Sequence, residues 1–379
     1  MNTSVRIGIL GGGQLARMFL YAAQKLGCTV AIFDNENNSP AGKIIPYHTI
    51  GSIENHSLLK KFASECEVVT LENEFIDYHH LLFLEKQGIK VFPSSHTIKL
   101  VQDKFLQKQT LQKYGIPVGT FLDVNYVKDF QRISQELGLP FILKSRKMGY
   151  DGYGNATVDN KKSFHQACQK LSSRHSLLLA EKFVDFSMEL AVMVVRTKKE
   201  TKVYPVVETI QENHICKIVL ASAKISLYKK KLAQEIAVAA IESVKGYGLF
   251  GVEMFFTKDE NILVNELAPR PHNSGHYTIE ACYTSQFENH IRAILDLPLG
   301  STEMVLPSAV MVNLLGKKNP KNILQNYKNL FGFDDKIHLH LYGKEHSRIG
   351  RKMGHITLVG RNQKELLQKA LKIEKKIFV

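Results

Sequence analysis

Residues 5–34 read VRIGILGGGQLARMFLYAAQKLGCTVAIFD. Residues 5–10 form a short apolar run rich in β-branched side chains, and Gly11, Gly12 and Gly13 break it. Residues 14–26 then space apolar side chains along one face of a helix, before Gly27 closes the segment. A second buried strand follows at 28–33 and ends at Asp34. Strand, crossover helix and strand in this order predict a parallel, Rossmann-like sheet with flanking helices.

Outward from this unit, residues 68–71 and 90–92 continue the alternation, and Phe92-Pro93-Ser94-Ser95 reads as the end of a first domain. A helical pattern spans 96–114, Gly115-Ile116-Pro117 interrupts it, and a strand at 141–144 runs into a glycine-rich loop. Strands at 177–184, 188–196 and 203–209 predict an α+β middle region. Runs at 309–315 and 338–342 predict a smaller closing unit.

The chain has 379 residues, a length that suits two or three domains, and its 44% hydrophobic and 23% charged composition excludes disorder, collagen and a coiled coil. Its net charge of +14 favours anionic partners without choosing among nucleic acid, a lipid surface and small phosphorylated molecules. The five cysteines are widely spaced and contain no CxxC pair, which fits a reducing cytoplasm. No basic segment leads into a long apolar one near the start, and no apolar run reaches membrane-spanning length, so neither export nor insertion is expected.

The sharpest chemical pattern is Val252-Glu253-Met254-Phe255-Phe256, a polar turn, and Ile262-Leu263-Val264-Asn265-Glu266. If residues 258–261 form a four-residue loop, Thr257 pairs with Ile262, Phe255 with Val264, and Glu253 with Glu266. Like charges directly opposite repel, so a cation belongs between them. Two carboxylates without imidazole or thiolate suit a hard ion such as Mg²⁺. Taken alone, such a hairpin is better read as carrying two solvated glutamates, and the metal reading gains ground from the residues that follow. The loop that follows, Pro269-Arg270-Pro271-His272-Asn273-Ser274-Gly275-His276, makes a poor core and a plausible anion site. Lys144, at a strand end before Gly149, Gly152 and Gly154, could present a point charge and backbone N–H groups to phosphates. This is not the P-loop pattern, and a flexible surface turn is the alternative.

Together, Gly11-Gly12-Gly13-Gln14-Leu15, Thr70-Leu71-Glu72-Asn73-Glu74, Gly149-Tyr150-Asp151-Gly152, Asn265-Glu266-Leu267-Ala268-Pro269-Arg270 with His272-Asn273-Ser274-Gly275-His276, and Arg351-Lys352-Met353-Gly354-His355 occur in order. In this the chain resembles the 5-(carboxyamino)imidazole ribonucleotide synthases, ATP-grasp ligases of purine biosynthesis, from about residue 5 to about residue 358. The resemblance implies that ATP and bicarbonate form carboxyphosphate, whose carboxyl passes to the amine of 5-aminoimidazole ribonucleotide. It also implies a cytoplasmic homodimer, with a Rossmann-like domain at 1–95, an ATP-grasp lid region at 96–172, an ATP-grasp catalytic domain at 173–300 and a C-terminal closing unit at 301–379.

Carried over position by position, it puts ATP on Lys104, Lys144, Gly149, Tyr150, Asp151, Gly152, Tyr153, Gly154 and Asn155. Adenine falls to the backbone of Glu181, Lys182, Phe183 and Val184, the ribose to Glu189, and further nucleotide contacts to His214, Asn265 and Glu266. Glu253 and Glu266 take Mg²⁺. Arg270, His272, Asn273, Lys344 and Arg351 suit bicarbonate, carboxyphosphate and the ribonucleotide phosphate, while Tyr150 and Asp151 close over the reaction centre. Gly12, Gly13, Gln14, Leu15, Glu72, Asn73 and Lys352 complete the ribonucleotide site, the glycines accepting its phosphate. Four positions depart from the family: Lys104 replaces Arg, Ala16 and Met148 replace Gly, and Tyr153 replaces a basic residue beside the phosphates, for which Lys147 is a candidate substitute.

Two rivals remain. Gly11 to Ala16 also fit a dinucleotide fingerprint with Asp34 on a ribose, as in a nicotinamide dehydrogenase, but this leaves the glutamate hairpin unexplained. The charge and Lys229-Lys230-Lys231 would suit a nucleic-acid-binding module, yet there is no tryptophan, stacking platform or zinc-finger spacing. Another ATP-grasp ligase or a catalytically weak relative is the alternative within the superfamily.

Overall fold

A computed structural model describes residues 5–125, 127–149, 154–173, 175, 177–317, 327–328, 330–332, 336–377 and 379. Its first unit is the expected parallel sheet, of order β3-β2-β1-β4-β5. The strands are β1 (Arg6–Leu10), β2 (Thr29–Asp34), β3 (Tyr47–Ile50), β4 (Val68–Leu71) and β5 (Val91–Phe92). Ile7, Ile9 and Ile32 face α1 (Gln14–Lys25), whereas Leu10 and Phe33 face α2 (His56–Ser64) and α3 (Tyr78–Lys86). Burial of both faces explains why β1, β2 and β4 are largely apolar rather than alternating, whereas the edge strand β3, which the sequence reading did not place, has no buried residue.

The helix expected over 96–114 is two, α4 (Ser95–Val101) and α5 (Lys104–Lys113). Asp103 caps the second, its carboxylate accepting from the N–H groups of Phe105 at 3.0 Å and Leu106 at 3.3 Å. The break makes Lys104 the first residue of α5.

A small antiparallel sheet of order β6-β9-β7-β8 comes next, from β6 (Phe121–Val124), β7 (Phe141–Ser145), β8 (Asn155–Val158) and β9 (Leu178–Lys182). Phe141, Leu143 and Leu178 pack it against α6 (Phe130–Leu137) and α7 (Lys161–Ser172). Because β9 pairs with β6 and β7, this unit runs past residue 172, where the sequence reading ended it. An apolar run shows that a strand exists but not which sheet it joins.

The largest sheet is antiparallel, of order β15-β14-β10-β12-β13-β16-β18-β17, with β11 beside β10. It is built from β10 (Phe186–Arg196), β11 (Thr201–Val203), β12 (Val207–Glu212), β13 (Ile215–Ala221), β14 (Gly248–Thr257), β15 (Ile262–Ala268), β16 (Ser308–Leu315), β17 (His338–Leu341) and β18 (Lys352–Gly360). The single strand expected at 203–209 is divided between β11 and β12 at Pro205, which has no N–H for a ladder. α8 (Leu227–Ser243) packs Ala233, Ala237 and Ile241 on Val192, Val194 and Phe250. α9 (Thr278–Ala281) and α10 (Gln286–Ile294) cover the opposite face, where Phe287 and Ile291 also meet Met18 and Phe19 of α1. β13 pairs with β16, so the C-terminal residues continue the same sheet, with α11 (Gln363–Glu374) packed on it. Among the described residues no helix is long and apolar enough to cross a membrane.

Candidate active site

Glu253 stands opposite Glu266, but by a different route from the one expected. Phe256, not Thr257, pairs with Ile262, and Met254, not Phe255, pairs with Val264. The turn is one residue longer on its first strand, with Thr257 N–H donating to Asn261 O at 2.9 Å. A bulge at Asn265 restores the register. Strict alternation would turn Asn265 and Glu266 to opposite faces, whereas the bulge lets both serve one cleft. Lys144 Nζ donates to Asn265 Oδ1 at 3.3 Å, and Lys104 pairs with Glu266.

The facing carboxylates are electrostatically unequal. Burial, then Glu266 and Glu189, push the Glu253 carboxyl up to about 7 against the pull of Lys104 and Lys352. Burial alone would lower the Lys104 ammonium, but Glu266 outweighs it and raises it. His272 Nδ1 accepts from Ser274, whose Oγ lies at 2.8 Å and whose N–H lies at 3.4 Å. That fixes the remaining ring proton on Nε2, which faces Glu253 Oε1 at 3.5 Å. Burial, then Arg270 and Lys352, hold the His272 imidazole well below its ordinary range, so it is neutral.

Lys144, the last residue but one of β7, donates to Glu181 Oε2 at 2.9 Å. Gly149 and Gly154 form the base of the loop, where a Cβ on Gly154 would lie 2.9 Å from the Gly149 Cα, and Asn155 pairs with Lys144 across β7 and β8. Tyr150, Asp151, Gly152 and Tyr153 lie outside the described residues. Met148 adopts φ +61°, the left-handed region that a glycine would occupy without strain. Glu181 and Lys182 end β9, and Phe183 and Val184 lead on towards β10 of the large sheet, with Phe183 exposed. Glu189 accepts from Gln211 Nε2 at 2.8 Å, and His214 lies in the β12–β13 turn at φ +63°.

Arg270 makes a two-point pair with Glu74 of the N-terminal unit, with Nη2 to Oε1 at 2.8 Å and Nε on the other oxygen. Burial alone would raise the Glu74 carboxyl, but Arg270 outweighs it and holds it below the usual range. Glu72 corrects the sequence reading of the first helix. Its Oε1 accepts from Leu15 N–H at 3.2 Å, and a Cβ on Gly13 would lie 2.2 Å from that oxygen. A carboxylate therefore holds the helix N-terminus where the sequence reading put a phosphate, and the same contact fills the pyrophosphate position of the dehydrogenase alternative. A Cβ on Gly12 would lie 2.4 Å from Asp34 Oδ2, Gln14 is half-buried, and Asn73 Nδ2 donates to Glu72 at 3.4 Å.

Asn273 exchanges amide hydrogen bonds with Asn313 of β16, at 2.9 and 2.7 Å, which ties the loop after β15 to the C-terminal strands. Lys344 Nζ donates to Lys352 O at 2.7 Å and Arg351 Nη1 to His346 O at 2.7 Å. Gly343, next to Lys344, accepts from Lys43 Nζ at 3.2 Å and lies against Arg17 of α1.

The fold thus gathers Lys104, Lys144, Glu181, Glu253, Asn265, Glu266, Arg270 and His272 around β14 and β15, with Lys344 and Arg351 in the β17–β18 connection and Lys352 at the start of β18. Sequence reasoning missed Glu74 as the partner of Arg270, and Lys108, which lies 3.5 Å from Glu181 Oε2. The four-residue spacing of Lys104 and Lys108 was the available signal for the second.

Comparison with known proteins agrees with this fold. The ribonucleotide synthetase preATP-grasp domain family matches residues 4–102, the ATP-grasp domain family residues 109–287, and the phosphoribosylaminoimidazole carboxylase C-terminal domain family residues 309–369. Fold and site define an ATP-grasp enzyme. The chain is 39% identical over 353 residues to the N5-carboxyaminoimidazole ribonucleotide synthase of Synechococcus elongatus, covering 93% of this chain and 89% of that one. It is 43% identical over 368 residues to the phosphoribosylaminoimidazole carboxylase of Ogataea methanolica, covering 95% of this chain and 67% of that longer protein. The carboxyaminoimidazole ribonucleotide synthase of Aspergillus clavatus, solved with ATP, superposes with a TM-score of 0.91 at 39% identity, with 100% of both chains covered. The chain belongs to the N5-carboxyaminoimidazole ribonucleotide synthase family.

Proposed function

We propose that the chain carboxylates 5-aminoimidazole ribonucleotide with bicarbonate and ATP, giving N5-carboxyaminoimidazole ribonucleotide, ADP and phosphate in purine biosynthesis. The observation that carries this reading is the opposed Glu253 and Glu266 with Lys104 and Lys144 beside them, in a cleft that Arg270 joins to the N-terminal unit. The family relationship names the substrates: a further structure of the Aspergillus clavatus enzyme holds ADP and 5-aminoimidazole ribonucleotide.

In this reading Lys104, Lys144 and the 149–155 loop hold the polyphosphate, the backbone of Glu181 to Val184 holds adenine, and Glu189 and His214 hold the sugar side. The opposed glutamates fit a hard divalent ion, because burial and then their mutual repulsion raise the Glu253 carboxyl to about 7, a cost that a cation between them would relieve. When bound there, Mg²⁺ would supply positive charge to the phosphates. A bicarbonate oxygen attacks the γ-phosphorus as the bond to ADP breaks. The ribonucleotide amine then attacks the carboxyl carbon, phosphate leaves, and the amine gives up a proton. Arg270, His272 and Asn273 hold the anions through both steps, and Tyr150 and Asp151 exclude water that would hydrolyse carboxyphosphate. Lys344, Arg351 and Lys352 take the ribonucleotide phosphate, leaving Glu72 and Asn73, beside Gly12, Gly13, Gln14 and Leu15, for its sugar hydroxyls. A cytoplasmic homodimer belongs to the same reading, and sedimentation of the purified protein tests its stoichiometry.

The test is ADP release with Mg²⁺, ATP and bicarbonate, with and without the ribonucleotide, and with formate replacing bicarbonate. Stimulation that needs both bicarbonate and ribonucleotide supports the reading. Equal rates without the ribonucleotide, or with formate, contradict it.

A further inference from the structure

Two lysines share one carboxylate oxygen at the centre of the cleft. Lys104 and Lys108 stand one turn apart on α5, the first paired with Glu266 and the second 3.5 Å from Glu181 Oε2. Lys144 approaches that same oxygen at 2.9 Å, while Glu181 Oε1 is buried without a hydrogen-bond partner. The Lys108 side chain is only 3% exposed, against 11% for Lys144 and 12% for Lys104. Lys144 also reaches Asn265, next to the opposed glutamates, whereas Lys108 sits behind it against Glu181. Burial alone would raise the Glu181 carboxyl, but Lys108, then Lys144 and Lys104, outweigh it and bring it down to about 2.

If Lys144 moves from Glu181 to a polyphosphate, it gives up its 2.9 Å contact with that carboxylate. If Lys144 were the sole cation at Glu181, its departure would leave a buried, uncompensated carboxylate beside an incoming anion, which is strongly unfavourable. We propose that Lys108 is a positioning residue for the nucleotide: it remains as the counter-ion of Glu181 and so frees Lys144 to engage the phosphates. The inference rests on the nucleotide site proposed above. It assigns Lys108 no contact with ATP, and that separates it from a fourth phosphate ligand.

The experiment is titration of wild type, Lys108→Met, Lys108→Arg, Glu181→Gln and the Lys108→Met/Glu181→Gln double variant with Mg·ADP, together with the KM for ATP and kcat of each. Lys108→Met should weaken binding on the order of tenfold or more, through KM rather than kcat, and Lys108→Arg should retain most of the affinity. In the Glu181→Gln background, Lys108→Met should cost almost nothing, because no carboxylate remains to hold Lys144. This comparison stands even if Lys108→Met alone does not fold. A cost on the order of tenfold in that background would show that Lys108 acts on the nucleotide directly and would overturn the inference, as would unchanged affinity in folded Lys108→Met. Wild-type protein that binds no Mg·ADP would instead refute the nucleotide site itself.

Discussion

Glu253 and Glu266 face each other across β14 and β15, and Lys104 pairs with the second. The site therefore depends on charge balance as much as on shape. Glu266→Gln removes both a proposed metal ligand and the partner of Lys104, and should lower ribonucleotide-dependent ADP formation on the order of a hundredfold or more. Steady-state rates over a range of Mg²⁺ concentrations measure this. Full activity in that variant would exclude the metal assignment.

The Arg270–Glu74 pair joins the loop after β15 to the N-terminal unit. Arg270→Ala should destabilise by up to about 3–5 kcal/mol, because it leaves the part-buried Glu74, 14% exposed, unpaired. Lys cannot reproduce a two-point fork, so Arg270→Lys should recover only part of that loss. Urea unfolding of the two variants and of Arg270→Ala/Glu74→Gln separates lost pairing from stranded charge; the double variant should be more stable than Arg270→Ala.

His290 links the first sheet to the largest one, with Nδ1 accepting from Leu249 N–H at 3.0 Å and Nε2 donating to Thr70 Oγ1 at 2.9 Å. Burial lowers its imidazole to about 3 from 6.5. Between these values the unfolded chain binds the extra proton, so this contribution is complete above about 6.5 and is lost as pH falls towards 3. The slope should approach about 1.4 kcal/mol per pH unit within that window. His290→Gln, compared with wild type by urea unfolding from pH 7 down to about 4, should flatten the profile.

Met148 occupies the left-handed region at φ +61° beside the glycine loop. Gly or Asn should be accepted there without loss of stability, whereas the β-branched Met148→Val should cost about 1–2 kcal/mol. Thermal unfolding of the three variants provides the comparison, and equal midpoints for Val and Gly would contradict the assignment of strain.

Four strands of the parallel sheet were legible as short apolar runs, with glycines closing the first strand and helix, whereas the edge strand β3, Tyr47–Ile50, has no apolar run to mark it. The opposition of Glu253 and Glu266 was legible for a less secure reason: the turn begins one residue earlier than expected, the bulge at Asn265 adds one residue, and the two shifts cancel. Local patterns do not encode a bulge. Nor do they encode partners on distant elements, and Arg270 and Glu74 are 196 residues apart in the chain. The same limit hid Glu72 at the start of α1 and the membership of β9 in the small sheet.

The most direct test of the central claim follows bicarbonate labelled with heavy oxygen through one turnover in the presence of ATP and the ribonucleotide. Carboxyphosphate forms when a bicarbonate oxygen attacks phosphorus, so that oxygen must leave with phosphate. The account predicts one labelled oxygen in the released phosphate for each carboxylated product. Phosphate carrying no label, its fourth oxygen taken from solvent while ADP accumulates, would contradict it.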